Sequence, residues 1–304
     1  MTSSPGITGL ATVLLASSIA CSGAQGGDVG ATQEGPSRAV IRITGSDTMV
    51  NLVQAWAENY KEVRPTVSVQ VAGGGSGVGI AGLIDGTLDI AAASREMKGD
   101  ERQRASVRHG VEPKEFTVAL DALAVYIHKD NPLDVLSIDE LAEIYGERGW
   151  IMKWSQLGVR NLACASDQII RVGRQNSSGT YAYFRDVVLG GMREYKMGSI
   201  DQSGSKDVVA LISRTPCAMG YSGIAFVTAG VKSLKLSARK GEPSVTPSPA
   251  TVIDRSYPIA RPLYLYTARE PTGHVKAFLD WVLAREGQQI VRDLGFVPIP
   301  KRDL

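Results

Sequence analysis

Apolar positions along the chain switch repeatedly between a period of two and a helical period. Residues 39–43 form a short β-branched run, after which Met49, Leu52, Val53, Trp56 and Tyr60 recur at helical spacing. Val67, Val69 and Val71 alternate as a strand does. A glycine-rich stretch at 73–77 follows, and Ile80, Leu83 and Ile84 predict a short helix beyond it. Residues 88–93 read as a buried strand ending in Ser94-Arg95, and residues 116–127 as one or two further strands. The second half repeats the pattern. Ser137-Ile138-Asp139-Glu140 has capping-box form ahead of Leu141 and Ile144, and residues 169–172 predict a strand leading into Arg174. Asn176-Ser177-Ser178-Gly179-Thr180 then opens a helix bearing Tyr181, Phe184, Val187 and Val188. Residues 219–221 and 263–267 read as strands. Thr272 caps a helix carrying Val275, Phe278, Leu279 and Val282 on one face, and residues 241–249 predict an exposed loop. Strands alternating with helices place the chain in the α/β class, and 304 residues suffice for two lobes.

The first 37 residues stand apart. Residues 8–20 are apolar or small, too short a run to span a bilayer, and end at Ser18-Ile19-Ala20-Cys21. This resembles a bacterial signal peptide with a lipobox, occupying residues 1–21, in which Cys21 carries the lipid. An ordinary cleaved signal peptide is the alternative, and both export the protein. Residues 22–37 hold almost nothing to bury and predict a flexible tether. Cys164 and Cys217 then remain as an even pair in an oxidising compartment; spacing leaves open whether they bond or pack separately.

Composition narrows the chemistry. Thirty-three basic against 31 acidic residues give a net charge of +2, no broad field for nucleic acid, so anion recognition must be local. His109, His128 and His274 lie far apart without metal-ligand spacing, and no metal or cofactor is implied. Gly77-Val78-Gly79-Ile80-Ala81-Gly82 fits a dinucleotide fingerprint, a weak pattern in a glycine-rich chain. Ser76 lacks a nucleophile-elbow setting because Val78 stands where the last glycine belongs. Residues 98–108 predict a solvated helix or loop.

What remains is three Ser/Thr/Gly turns, each at the start of a predicted helix: around Ser46, Asp47 and Thr48, around Ser76, and around Ser178, Gly179 and Thr180. Unpaired helix N–H groups and the helix dipole favour anions there, hydroxyls add donors, and an arginine fork matches two oxygens of a tetrahedral oxyanion. Ser94-Arg95 and Arg174 add to the set.

These words are similar to those of a known family, the substrate-binding proteins of bacterial phosphate ABC transporters. The resemblance is carried by Thr44-Gly45-Ser46-Asp47-Thr48-Met49, Gly75-Ser76-Gly77-Val78-Gly79, Asp89-Ile90-Ala91-Ala92-Ala93-Ser94-Arg95 and Arg174-Gln175-Asn176-Ser177-Ser178-Gly179-Thr180, in that order. Weaker similarity runs through Tyr257-Pro258-Ile259-Ala260-Arg261-Pro262-Leu263-Tyr264. It implies a two-lobed venus-flytrap fold of the type II periplasmic-binding-protein kind, with mostly parallel sheets. Lobe I would take residues 38–125 plus 257–304 and lobe II residues 126–256. It implies an exported, membrane-anchored monomer that binds phosphate and hands it to a permease, rather than an enzyme. Phosphate contacts would fall on Ser46, Thr48, Ser76, Ser94, Arg174, Ser178, Gly179 and Thr180, and Asp47 and Arg95 are expected in the same phosphate-binding set. Enteric members carry Asp where this chain has Arg95, and that carboxylate accepts the phosphate proton; Asp47 is the replacement expected here. A carrier of another oxyanion, or a module that binds a signalling partner, would use the same turns.

Overall fold

The computed structural model describes residues 38–300. The expected signal peptide with Cys21 and the expected tether lie outside the described residues. In chain order the elements are β1 (Ala39–Gly45), α1 (Val50–Val63), β2 (Val67–Ala72), α2 (Ser76–Asp85), β3 (Ile90–Ala93), α3 (Gly99–His109) and β4 (Lys114–His128). There follow β5 (Val135–Ser137), α4 (Ile138–Tyr145), β6 (Ile170–Arg174), α5 (Gly179–Val188), β7 (Ile200–Gln202), α6 (Ser205–Ile212) and β8 (Ala218–Gly223). The last are β9 (Val231–Ser233), β10 (Lys235–Ser237), α7 (Pro249–Ile253), β11 (Ala260–Thr267), α8 (Gly273–Leu283) and α9 (Arg285–Asp293).

The main sheet has the order β2-β1-β3-β11-β4-β8-β6-β7, with β9 added to β4. Its outer parts are parallel, β1 pairing with β2 and β3, and β6 with β7 and β8. The centre is antiparallel, where β11 pairs with both β3 and β4. Two lobes result. β4 serves both: its first residues pair with β11 up to Ala122, and from Leu123 onward it pairs with β8. One unbroken 15-residue strand therefore stands where the alternation predicts one or two. It is apolar on both faces from Ala122 to Ile127, which is why period two fades there. Residues 98–108 are mostly helix α3, whose cap is held by Glu101 accepting from the Lys98 N–H at 2.9 Å.

Burial follows the periodicities. Leu52, Val53, Trp56 and Tyr60 of α1 are buried, and the Trp56 Nε1 donates to the Gly287 carbonyl at 2.9 Å, tying α1 to α9. Ser137 caps α4 through the Glu140 N–H, and the Glu140 carboxylate accepts from the Ser137 N–H in return. The short strands β5, β7, β9 and β10 carry three residues each, too few to show a period. Cys164 and Cys217 form a disulfide, joining the loop before β6 to the entry of β8.

Candidate functional site

Parallel strands β1 and β3 end side by side, and the chain leaving each carries a serine. Ser46 N–H donates to the Ala92 carbonyl at 2.8 Å, which sets the first turn against the end of β3. Ser46 Oγ then donates to Ser94 Oγ at 2.9 Å, and Ser94 N–H donates to Ser76 Oγ at 3.0 Å at the start of α2. All three serines are buried. Three hydroxyls from three separate turns thus meet at one point of the first lobe.

The second lobe contributes from the ends of β6 and β7. Ser178 caps α5, accepting from the Thr180 and Tyr181 N–H groups at 3.1 and 3.4 Å. Arg174, the last residue of β6, is fully buried. Its Nη1 donates to Ser205 Oγ at 3.0 Å and its Nη2 to the Ser203 carbonyl at 2.7 Å. Burial lowers the Arg174 guanidinium to about 10, with Asp47 opposing the shift and Arg261 adding to it. It stays charged at neutral pH.

Contacts between the lobes bring these groups together. Thr48 Oγ1 lies 2.9 Å from Thr180 Oγ1 and 3.2 Å from Ser205 Oγ. Gly77 N–H donates to the Ser177 carbonyl at 3.0 Å. Glycine is required where the backbones approach: a Cβ on Gly75, which has φ +97°, would lie 2.5 Å from the Ser177 oxygen, and one on Gly179 would lie 2.3 Å from Ser76 Oγ. Asp47 spans the same boundary. Its Oδ1 accepts from the Gly74 N–H at 2.9 Å, while Oδ2 stands 3.6 Å from Arg174 Nη2.

Of the residues expected from the sequence, Ser46, Asp47, Thr48, Ser76, Ser94, Arg174, Ser178, Gly179 and Thr180 converge. Arg95 takes a different course, its fork closing on Glu101 with two contacts of 2.7 Å and its Nη1 also donating to the Glu96 carbonyl. No hydrogen bond among the described residues links it to the hydroxyl cluster.

Three residues join the cluster that sequence reasoning did not assign to it. Ser205 follows Gly204 and precedes Val208, Val209 and Ile212, a fourth small-residue turn before a helix. Arg261, inside the Tyr257-to-Tyr264 word, donates from Nη2 to Thr180 Oγ1 at 3.0 Å and from Nη1 to the Ser94 carbonyl at 3.0 Å. Asp121, the charged residue within the otherwise apolar middle of β4, accepts from Arg261 at 2.9 and 3.2 Å. Burial holds the Asp121 carboxyl above its ordinary value, with Arg261 and the Ile224 N–H opposing the rise without cancelling it.

The cluster is thus donor-rich, with hydroxyls, two buried guanidinium groups and the N-termini of α2, α5 and α6, an arrangement that suits an oxyanion. The two carboxylates offset the two guanidinium charges before any ligand is counted. Among the described residues no group of three His, Cys, Asp or Glu side chains could hold a metal ion. His109 faces the Leu83 carbonyl at 2.9 Å and His128 is paired with Asp130.

Known proteins of this form give the arrangement its context. The domain family described as PBP superfamily domain matches residues 30–286. The phosphate-binding protein PstS of Pseudomonas aeruginosa is 34% identical over 268 residues, 85% of this chain and 82% of that protein. The chain belongs to the PstS family. The PstS of Bacillus subtilis is 31% identical, over 85% of this chain and 80% of its own length. A Clostridium perfringens protein, described as a candidate phosphate ABC transporter substrate-binding protein and solved with bound phosphate, superposes with a TM-score of 0.75 at 28% identity. It covers 86% of this chain and all of its own. The two-lobed mixed α/β fold is that of periplasmic binding proteins, and PstS membership accounts for the order of the four matching words.

Proposed function

We propose that this chain binds inorganic phosphate between its two lobes and presents it to an ABC-type importer without turning it over. The observation that carries this reading is the meeting of polar groups from both lobes, the Thr48 and Thr180 hydroxyls at 2.9 Å and the Arg174 guanidinium 3.6 Å from the Asp47 carboxylate. A ligand held by both sides favours the closed state by its differential contacts, which an importer can read. Membership of the PstS family and the phosphate-bound Clostridium perfringens relative support phosphate over other anions.

In this reading Ser46, Thr48, Ser76 and Ser94 donate from the first lobe, and Arg174, Ser178, Gly179 and Thr180 from the second. The lobes divide as 38–125 plus 257–304 and 126–256. Arg95 braces the Ser94 end through Glu101. Asp47 Oδ2, the oxygen not engaged by the Gly74 N–H, accepts the hydrogen bond of protonated phosphate. Sulfate carries no proton at neutral pH and meets the carboxylate as unrelieved repulsion. The protein acts as an exported monomer, and Cys21 bears the lipid that holds it at the membrane. Among the described residues no helix is long and apolar enough to cross a membrane.

Calorimetric titration of protein stripped of bound anion, with phosphate, sulfate and arsenate in turn, tests the reading. Tight one-site phosphate binding with sulfate silent is the expected result; equal sulfate binding sinks the phosphate assignment. Asp47→Asn should weaken phosphate and narrow the gap to sulfate, and unchanged discrimination would remove Asp47 from the proton-accepting role.

A further inference from the structure

Arg261 stands on β11 directly opposite Asp121 on β4, next to the point where β4 leaves β11 and takes up β8. Both side chains are essentially inaccessible, 1% and 0% exposed. A guanidinium so placed needs its N–H groups matched, because an unpaired buried charge is costly. Asp121 Oδ2 takes Nε and Nη2, the Ser94 carbonyl takes Nη1, and Thr180 Oγ1 shares Nη2. The guanidinium carbon also lies 5.6 Å from the ring centre of Tyr183, whose hydroxyl donates to the Ala260 carbonyl. Arg261 is the side chain that Asp121 pairs with among the described residues, two of its nitrogens meeting Oδ2.

The partners divide by lobe. Ser94, just beyond β3, and Asp121 on β4 belong to the first lobe, as Arg261 does, whereas Thr180 is carried by α5 of the second. Opening the cleft therefore leaves Arg261 with Asp121 and Ser94 and removes the groups carried by α5, the Thr180 hydroxyl with its hydrogen bond and the Tyr183 ring. We propose that Arg261, oriented by Asp121, is a positioning residue that latches Thr180 to the first lobe in the closed state and so slows release of the bound anion. This rests on the reading that the cleft closes on phosphate. The latch acts on escape rather than capture, since the contact forms only once the lobes have met.

Arg261→Lys keeps the charge but not the fork, so it cannot hold Asp121, the Ser94 carbonyl and Thr180 Oγ1 together. One charge-assisted hydrogen bond lost from the closed state corresponds to a release rate about 10- to 100-fold faster. Stopped-flow measurement should show that change with association altered less than about twofold, the split expected of a closed-state contact. Thr180→Val also removes its own contacts to phosphate and to Thr48, so it should speed release in both backgrounds but by a smaller factor in Arg261→Lys than in wild type, the shortfall being the shared contact. A purely structural role would instead lower the melting temperature of the anion-free protein and leave release unchanged. Wild-type release in Arg261→Lys, or fully additive effects of the two substitutions, would overturn the proposal.

Closure itself is read by energy transfer between dyes on Val63 and Met192, which are 54% and 93% exposed and belong to different lobes. Wild-type protein that closes on another oxyanion but not on phosphate defeats the phosphate reading alone, and the Arg261 comparison is then decided with that anion. A wild-type protein that closes on none of them overturns both.

Discussion

Gly179→Ala separates the local fold from the meeting of the lobes. Gly179 begins α5 without a positive φ, so alanine suits its backbone and should favour the helix by up to about 1 kcal/mol. The obstacle is on the other lobe: a Cβ there would lie 2.3 Å from Ser76 Oγ, 2.7 Å from Ser94 Oγ and 2.9 Å from Ser76 Cβ. Relief to an ordinary contact of about 3.4 Å requires α5 and the first lobe to part by roughly 1 Å. The cross-lobe contacts of 2.9 Å for Thr48 with Thr180 and 3.0 Å for Arg261 with Thr180 then stretch to about 4 Å and cease to be hydrogen bonds. A neutral contact contributes about 0.5–1.5 kcal/mol and a charged one about 1.5–3, so the closed state loses about 2–4 kcal/mol. Phosphate affinity should fall about 30- to 1000-fold. Titration calorimetry gives the Kd, and a melt of the anion-free protein gives the stability of the fold. Wild-type affinity would refute the claim that Gly179 is required by close approach. An equal loss of stability in the anion-free protein would place the clash within a lobe instead.

Three further outcomes follow from the same geometry. The Cys164–Cys217 disulfide spans a separation of 53 residues, so in the chain-entropy account its removal by Cys164→Ser with Cys217→Ser costs roughly 4 kcal/mol, seen as a lower urea midpoint. A midpoint that does not move would show that the link does not constrain the unfolded chain. Burial alone raises the Glu101 carboxyl, but the Arg95 hydrogen bonds, the Lys98 N–H and the charges of Arg95 and Lys98 together hold it below its ordinary value. Its contribution is therefore fully present above the unfolded carboxylate pKa of about 4.3 and is lost as pH falls through the lower folded value. Glu101→Gln should cost about 2 kcal/mol near neutral pH, with the difference from wild type shrinking below the unfolded carboxylate pKa and vanishing only below the lower folded value; a gap that persists below that value would rule out the ion pair as its origin. Asp47→Asn, titrated against both anions, reports whether one carboxylate separates phosphate from sulfate.

The hydroxyl turns were legible in the sequence because each is a local object: a strand run, a small polar turn, then apolar residues at helical spacing. Ser46, Ser76 and Ser178 could be placed at helix entries from neighbours within ten residues. Local pattern also marked Arg174 at a strand end and Ser137 in a capping box. It could not say which turns face one another. Thr48 and Thr180 meet across 132 residues of chain, a pairing set by how β4 crosses from β11 to β8. The same limit governed the arginines. Arg95 and Arg261 both stand beside small residues, and only the tertiary structure gives Arg95 to Glu101, six residues on, and Arg261 to Asp121, 140 residues before it. Asp121 showed in the sequence merely as a charge inside an apolar strand. What the sequence determined by itself was the set of donors and their order along the chain, since hydroxyls, glycines and helix starts are matters of neighbouring residues. The choice of partners belonged to the tertiary structure, because a buried charge must be matched by whichever group the folded strands bring within hydrogen-bonding distance.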